Sequence, residues 1–576
     1  KKENLVFMFK LRRFLKNYKK ELILGPFFKL LEAIFELIVP LVMADIIDTG
    51  IKNGDSVYVW KMSGLIALLG IGGLGFALTC QYFAAKCAYG FGTELRDSLY
   101  KHINSLSHAE IDRFGTSSLT TRLINDTNLA QNGVNMFIRL AVRAPFLIIG
   151  AAVMAMILDF KLSLIFLIAA PIITAVLYII MRKTVPLYKK IQKNLDRISL
   201  LTRENLEGVR VIRAFSKQEK EKKEFNEASN ELAVNSIVVG KISAILNPVT
   251  FMIMNLSIVA ILWFGGIRVN IGDLSQGQIT AFVNYMTQIL LALVVLANLI
   301  VIFTKAASSS SRINEVFETQ PSVTGGTKVK FDFGAPAVEC GDLTFTYPDA
   351  GGPALKNISF SLKKGETLGI IGGTGSGKST LASLIPHFYN VTGGKLKIFG
   401  SDIYDYNLEF LRKSIGIVPQ KAALFSGTIA ENMRWSNPDA TEDEIIKALK
   451  IAQAWEFVRK LPEGLKTHIS QGGKNFSGGQ RQRLTIARAL VGSPPIVILD
   501  DSMSALDYAT DLKLRKALSE HLSDTAVIII SQRATTLKNA DSILVLDDGA
   551  QIGLGTNEQL LESCEEYKEI YHSQMS

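Results

Sequence analysis

GGTGSGKST (Gly372–Thr380) is the stretch around which the rest of the sequence organises itself. It follows the apolar run ETLGII and leads into LASLI, so a strand, a glycine turn and a helix succeed one another. Gly372 to Ser379 fit the spacing G-x-x-x-x-G-K-[ST]. Glycines let successive backbone N–H groups curl around a polyphosphate at a helix N-terminus. Lys378 then reaches the terminal phosphates, and the Ser379 hydroxyl suits a magnesium ion. A second apolar run, IVILD, ends in Asp500, which suits the second magnesium contact of a P-loop nucleotidase; taken alone it reads as a strand-end cap. Around both lie further short β-like runs (VECGDLTFTY, LKIFG, AVIIIS, SILVLDDG) alternating with helical segments. Residues 337–576 therefore read as a soluble α/β domain with a mostly parallel sheet.

The N-terminal half is of another kind. A chain of 576 residues holds three or four domains at roughly 150 residues each. A mean hydropathy of +0.23, with 48% hydrophobic and 20% charged residues, excludes a disordered chain and points to a membrane. Residues 1–320 hold 36 Lys+Arg against 24 Asp+Glu, and residues 321–576 hold 27 against 29. The basic excess thus accompanies the apolar segments, which argues for positive-inside loops and against nucleic-acid binding. Residues 62–85, 162–181, 242–267 and 274–304 are uncharged and long enough to cross a bilayer. Two weaker spans, 23–47 with Lys29, Glu32, Glu36 and Asp45, and 132–158 with Arg139 and Arg143, bring the expectation to six.

The loop charges set the orientation, because 1–20 holds eight Lys/Arg and 182–241 fourteen, whereas the turns near 49–58, 159–161 and 268–273 hold one each. Both termini are expected on the cytoplasmic side, with 1–20 as a basic amphipathic lead-in rather than a signal peptide. The expected organisation is an all-α six-helix transmembrane domain over 1–319, a Pro- and Gly-containing linker over 320–336, and the α/β P-loop domain over 337–576. Cys80, Cys87, Cys340 and Cys564 lack metal or disulfide spacing and read as packing residues.

The stretches 86–131 and 182–241 are too long for turns and read as helical extensions projecting about 30 Å beyond the membrane. Their tips fall near Ile111–Leu119 and Val209–Lys217, where Phe114 and Phe215 are candidate docking anchors, with packing inside each hairpin as the alternative. Within the spans, Asn247, Asn255, Asn284, Gln288, Asn298, Glu32 and Glu36 are either helix-to-helix hydrogen-bonding groups or cargo contacts.

FSGGQRQRLTIARAL (Phe476–Leu490) stands just ahead of the Asp500 strand, and its FSGGQ resembles the signature motif of ATP-binding-cassette (ABC) proteins. The other family motifs follow in order: Tyr347 where an aromatic stacks on adenine, Gln420 in IVPQ, and SALD (Ser504, Ala505, Leu506, Asp507). With one six-span region ahead of one cassette, nearly the whole chain is similar to an ABC exporter half-transporter. The resemblance implies ATP bound by Tyr347, Gly372, Gly373, Thr374, Gly375, Ser376, Gly377, Lys378, Ser379, Thr380 and Gln420, with Mg2+ held by Ser379, Gln420 and Asp500. It also implies a head-to-tail dimer in which Ser477, Gly478, Gly479 and Gln480 act on the partner's nucleotide. An SGGQ loop at a helix N-terminus is a second anion cradle that its own P-loop does not need.

Two positions depart from the family pattern. Asp501 stands where a glutamate is expected as general base, one methylene shorter, and Gln532 stands where a histidine is expected. A general base must come within about 2.6–3.2 Å of the proton it takes, and an amide neither carries a positive charge nor relays a proton. Gln471 replaces a glutamate common in exporters of this family, which bears on coupling to the projections. Binding is expected to survive and hydrolysis to suffer. The expectation is therefore a degenerate-site subunit, similar to those of bacterial heterodimeric multidrug exporters, paired with a half-transporter whose own site is intact. It would sit in a bacterial plasma membrane and move hydrophobic or amphipathic compounds. The alternatives are a regulatory ATP-binding membrane subunit and a slow homodimeric exporter.

Overall fold

The computed structural model describes residues 11–348 and 350–575. Residues 1–10 of the expected lead-in lie outside the described residues. Two compact units emerge: Lys1–Asn104 with Ser117–Glu318, and Ser105–Thr116 with Thr319–Ser576.

In the first unit, five described helical stretches are long and apolar enough to cross a membrane: Ser56–Ser105, Thr116–Leu158, Phe160–Glu207, Gln218–Asn270 and Gln276–Glu318. They contain the expected spans 62–85, 132–158, 162–181 and 242–267, and all of 274–304 from Gln276 on. Five of the six expected spans thus fall on helices of this kind, and the weaker span 23–47 does not. Residues 23–47 do fall on a continuous helix, Lys19–Asp45, but Lys29, Glu32 and Glu36 remove it from the apolar set. Those charges are paired inside the unit: Lys29 lies 2.6 Å from Glu32, and Arg143 lies 2.6 Å from Glu36. Pairing of this kind is how ionisable groups are accommodated among apolar helices.

Helix Ser56–Ser105 runs unbroken through 62–85 and then about 30 Å further at 1.5 Å per residue. Phe160–Glu207 packs along Gln218–Ala244, with Arg197 and Glu231 3.3 Å apart, and the short helix Val209–Ala214 closes the tip between them. The unit's core forms around helix Gln276–Glu318, where buried Phe282, Tyr285 and Met286 meet Ala33, Leu37, Ala151 and Ala155. Small residues at these crossings let the helices approach closely. Of the amide candidates, Gln288 bonds across helices to the Glu36 carbonyl at 3.2 Å, whereas Asn247, Asn255, Asn284 and Asn298 are exposed.

The second unit is built on a ten-stranded sheet, counted among the described residues. Strand Thr367–Gly372 lies between Ser542–Asp547 and Ala526–Ile530, followed by Ile496–Asp500 and, at the edge, Ile415–Val418, all parallel. Every residue of Ala526–Ile530 and Ile496–Asp500 is buried, as befits parallel strands covered on both faces. Ile530 pairs with Ile370 on one side and with Asp500 on the other. The chain therefore leaves three adjacent strands at one edge, into Gly373, Asp501 and Ser531. Antiparallel strands Val338–Phe345, Leu355–Leu362 and Gly393–Ile398 extend the sheet. The stretch 320–336, read as a linker, packs on this unit: Phe331 is buried against Phe399 at 4.7 Å and Phe410 at 4.8 Å.

Candidate functional site

The glycine turn after strand Thr367–Gly372 is a conformation that side chains oppose. Gly377 has φ +93°, and a Cβ there would lie 2.6 Å from Leu355 Cδ2 and 2.7 Å from the Ala354 carbonyl. The turn opens helix Lys378–Leu384. Lys378 is buried, and its ammonium donates to the carbonyls of Gly372 (2.9 Å) and Gly373 (2.5 Å) and to Ser376 Oγ (3.2 Å). Burial pushes its pKa down, while Asp501 and Asp500 push it up. With an anion replacing those neutral carbonyls, the same amine would gain a charge-assisted bond.

Ser379 donates to Asp500 Oδ1 at 3.0 Å, which joins the two proposed metal-facing groups. Burial raises the pKa of Asp500, the Ser379 hydrogen bond lowers it, Asp501 raises it and Lys378 lowers it. A cavity of about 140 Å³ is lined by Thr374, Gly375, Gly377, Lys378, Ser379, Gln420, Asp500, Asp501, Ile530, Ser531 and Gln532. The P-loop, the strand-end carboxylate and both family departures thus share one wall-to-wall space. Asp501 sits at φ +45° with its N–H donating to the Ile530 carbonyl at 3.0 Å. Gln420 Nε2 donates to Asp501 Oδ2 at 3.3 Å, which leaves the amide oxygen of Gln420 for another partner. A hydroxyl, a carboxylate and an amide oxygen are the hard donors Mg2+ takes, and the glycine turn with its buried lysine fits a nucleotide polyphosphate, so the residues present suit both groups. A bound Mg2+ would supply charge neutralisation at the phosphate oxygens.

Other expected residues are not part of this cavity's lining. Tyr347 meets Thr380 through its hydroxyl at 3.1 Å and packs edge-on against Phe345 and Tyr389. Ser477 caps helix Gly478–Leu490: its N–H donates to Gln480 Oε1 at 2.9 Å, and its hydroxyl accepts from the Gln480 N–H at 3.3 Å. The nearest contact a Cβ on Gly479 would make is the Ala505 carbonyl at 3.3 Å, so the signature turn abuts the SALD turn. In that turn Ser504 Oγ donates to the Asp501 carbonyl at 2.8 Å, Leu506 is buried, and Asp507 caps helix Tyr508–His521. Gln471 opens a short turn ahead of the signature helix.

Of the two candidate anchors, Phe114 ends the short helix His108–Phe114, which belongs to the second unit. There His108 stacks on Phe388 with centroids 4.3 Å apart, and Tyr389 donates to Asp112 at 2.5 Å. Phe215 follows helix Val209–Ala214 in the first unit and is 70% exposed. Sequence reasoning missed His108, Asp112 and Tyr389 at this contact, and Ile530 and Ser531 in the cavity. The cavity pair was within reach, because the strand AVIIIS carries them to the same edge as Asp500.

Residues 22–294 match the family described as the ABC transporter transmembrane region, and residues 355–504 match the family described as ABC transporter. The chain is 37% identical over 571 residues to an uncharacterized ABC transporter ATP-binding protein of Mycobacterium tuberculosis, covering 98% of this chain and 97% of the relative. It is 39% identical over 563 residues to the uncharacterized ABC transporter ATP-binding protein YfiB of Bacillus subtilis, covering 97% of each. An ATP-dependent lipid A-core flippase of Vibrio parahaemolyticus is 30% identical over 568 residues, covering 98% of this chain and 97% of the relative.

Proposed function

The chain belongs to the ABC transporter family, as an exporter half-transporter with one membrane region ahead of one ATPase cassette, and from that premise we propose that it is the degenerate-site subunit of a heterodimer. In this reading it binds ATP at its own P-loop and hydrolyses it poorly. Its signature residues Ser477, Gly478, Gly479 and Gln480 complete the active site of a partner half-transporter. The observation that carries the reading is that Asp501 and Gln532 line one cavity with Lys378, Ser379 and Asp500. Both departures therefore face the end of the site where phosphate chemistry takes place, while the binding groups are kept. Asp501 is also engaged by Gln420, and its shorter side chain reaches less far than a glutamate from the same strand end.

ATP bound by Lys378 then holds the two cassettes together, and hydrolysis at the partner's nucleotide resets the membrane helices. ATP shifts the conformation only through its higher affinity for the closed state. The cargo is hydrophobic or amphipathic, a class supported by the uncharged stretches 62–85, 162–181, 242–267 and 274–304 and by a relative named as an ATP-dependent lipid A-core flippase. Helix Lys19–Asp45 serves as the sixth crossing, with Lys29 paired to Glu32 and Glu36 paired to Arg143. The protein sits in a bacterial plasma membrane with both termini and the cassette in the cytoplasm.

The test measures single-turnover ATP hydrolysis by this chain alone and together with a half-transporter that carries glutamate and histidine at the corresponding positions. Negligible activity alone, robust activity together and a gain on the order of 10²-fold at this site from Asp501→Glu with Gln532→His are expected. Vigorous hydrolysis by the chain alone, unchanged by the two substitutions, would establish a homodimeric exporter instead. ATP binding without any transport in the paired complex would favour a regulatory subunit.

A further inference from the structure

Gln532 sits in a loop that is pinned from an unexpected quarter. The C-terminal helix Glu565–Met575 carries Gln574, whose Nε2 donates to the Gln532 carbonyl at 2.7 Å and whose Oε1 accepts from the Ala534 N–H at 2.8 Å. One side-chain amide thus closes on the backbone of residues 532 and 534, the way one strand pairs with its neighbour. The helix that supplies it is itself anchored. Tyr567 is fully buried and donates to Asn557 Oδ1 at 2.9 Å, and Ile570 and Tyr571 pack against the core beneath the sheet. The near side of the loop is tied down as well, since the Ser531 N–H donates to the Ile370 carbonyl at 3.1 Å and Ser531 Oγ accepts from the Arg533 N–H at 3.0 Å. Gln532 stands between these two fixed points as an exposed residue on the cavity wall.

We propose that Gln574 is a positioning residue for the nucleotide site: it braces the Gln532 loop, so that the C-terminal helix sets where the Gln532 amide meets the terminal phosphate. The inference rests on the reading of the cavity as the ATP site. A loop residue after a strand end has several backbone states open to it, and two hydrogen bonds from a rigidly mounted helix select one of them. Anything that draws the C-terminal helix off the cassette would release Gln532 without touching the P-loop.

The experiment uses the full-length chain and a fluorescent ATP analogue with Mg2+. Four variants are compared: Gln574→Ala, Gln532→Ala, the double variant, and Lys378→Ala as a control for the site itself. Gln574→Ala is expected to weaken binding about three- to tenfold. The double variant should bind no worse than Gln532→Ala, because a residue acting through another adds nothing once that other is gone. Gln574→Glu, which keeps the acceptor for the Ala534 N–H and loses the donor to Gln532, should fall between. Amide exchange should quicken at residues 531–536 in Gln574→Ala. Wild-type affinity and wild-type exchange at 531–536 in Gln574→Ala, with Lys378→Ala still abolishing binding, would overturn the brace while leaving the site intact. Additive losses in the double variant would overturn it too. Unchanged affinity in both Lys378→Ala and Gln532→Ala would overturn the reading of the cavity, and the brace with it.

Discussion

At the scale of single residues, the site is made of groups whose chemistry is modified by burial. Lys378 is held among carbonyls with its pKa pushed down, so it is primed for an anionic partner rather than satisfied by an existing ion pair. Gly377 is the position where the backbone leaves least choice, with φ at +93° and the Ala354 carbonyl where a Cβ would stand. Gly377→Ala is expected to cost roughly 1–3 kcal/mol through strain and overpacking and to weaken nucleotide binding. Thermal unfolding with and without MgATP checks this; an unchanged melting point and an unchanged ATP-induced shift would show that the turn tolerates a side chain. The P-loop was readable because its parts are contiguous, and Asp500 because a strand leads straight to it. Gln574 was not: its partners lie 40 and 42 residues away, and nothing in EEYKEIYHSQM distinguishes it from any polar residue of an exposed helix.

At the scale of elements, helix His108–Phe114 begins with a reciprocal cap between Ser107 and Glu110, in which the Ser107 N–H donates to Glu110 Oε2 at 2.9 Å. Ser107 Oγ also accepts from the Val323 N–H at 2.9 Å, which ties the cap to the segment after Glu318. Tyr389 and Phe388 hold its outer face through Asp112 and His108. Burial lowers the His108 pKa, Arg412 lowers it further and Asp112 raises it. A base with a lowered pKa in the docked state binds fewer protons there than when released, so docking is fully favoured above about pH 6.5 and weakens as pH falls through the lowered value. Amide exchange over 105–116, corrected for intrinsic rates, should therefore rise in acid. His108→Phe, which keeps the ring stack, should abolish that rise, and a rise that persists in the variant would assign it to another group. The tip pattern around Phe114 falls on this helix. It did not find His108 and Asp112, because their partners on the cassette are more than 250 residues distant in sequence.

At the scale of the whole molecule, the distribution of charge makes a prediction about topology. The turn near 49–58 carries one basic residue, whereas 182–241 carries fourteen. Single cysteines at Asn53 and Ser216, introduced in a background lacking the four native ones, should label oppositely in intact cells. Asn53→Cys is expected to react with a membrane-impermeant maleimide from outside, and Ser216→Cys only after permeabilisation. Labelling of both from outside would break the count of three crossings between them, and labelling of Asn17→Cys from outside together with Asn53→Cys would break the assignment of Lys19–Asp45 as a crossing. Hydropathy reads that helix only as a weak span, because Lys29, Glu32 and Glu36 interrupt it, and packing reveals that Lys29 pairs with Glu32 and Arg143 with Glu36.

Sequence alone determined the two kinds of domain, the glycine turn between strand and helix and the two positions that depart from the family pattern, because hydropathy, strand-to-helix succession and a contiguous motif are local properties of a chain. Tertiary structure alone decided that Asp501, Gln532 and Gln420 share a cavity, that residues 105–116 pack with the cassette, and that Gln574 reaches the Gln532 loop. These depend on which strands pair in which register and on which helix end meets which loop, and contacts between distant residues are set by the packing of the whole unit rather than by any pattern along the chain.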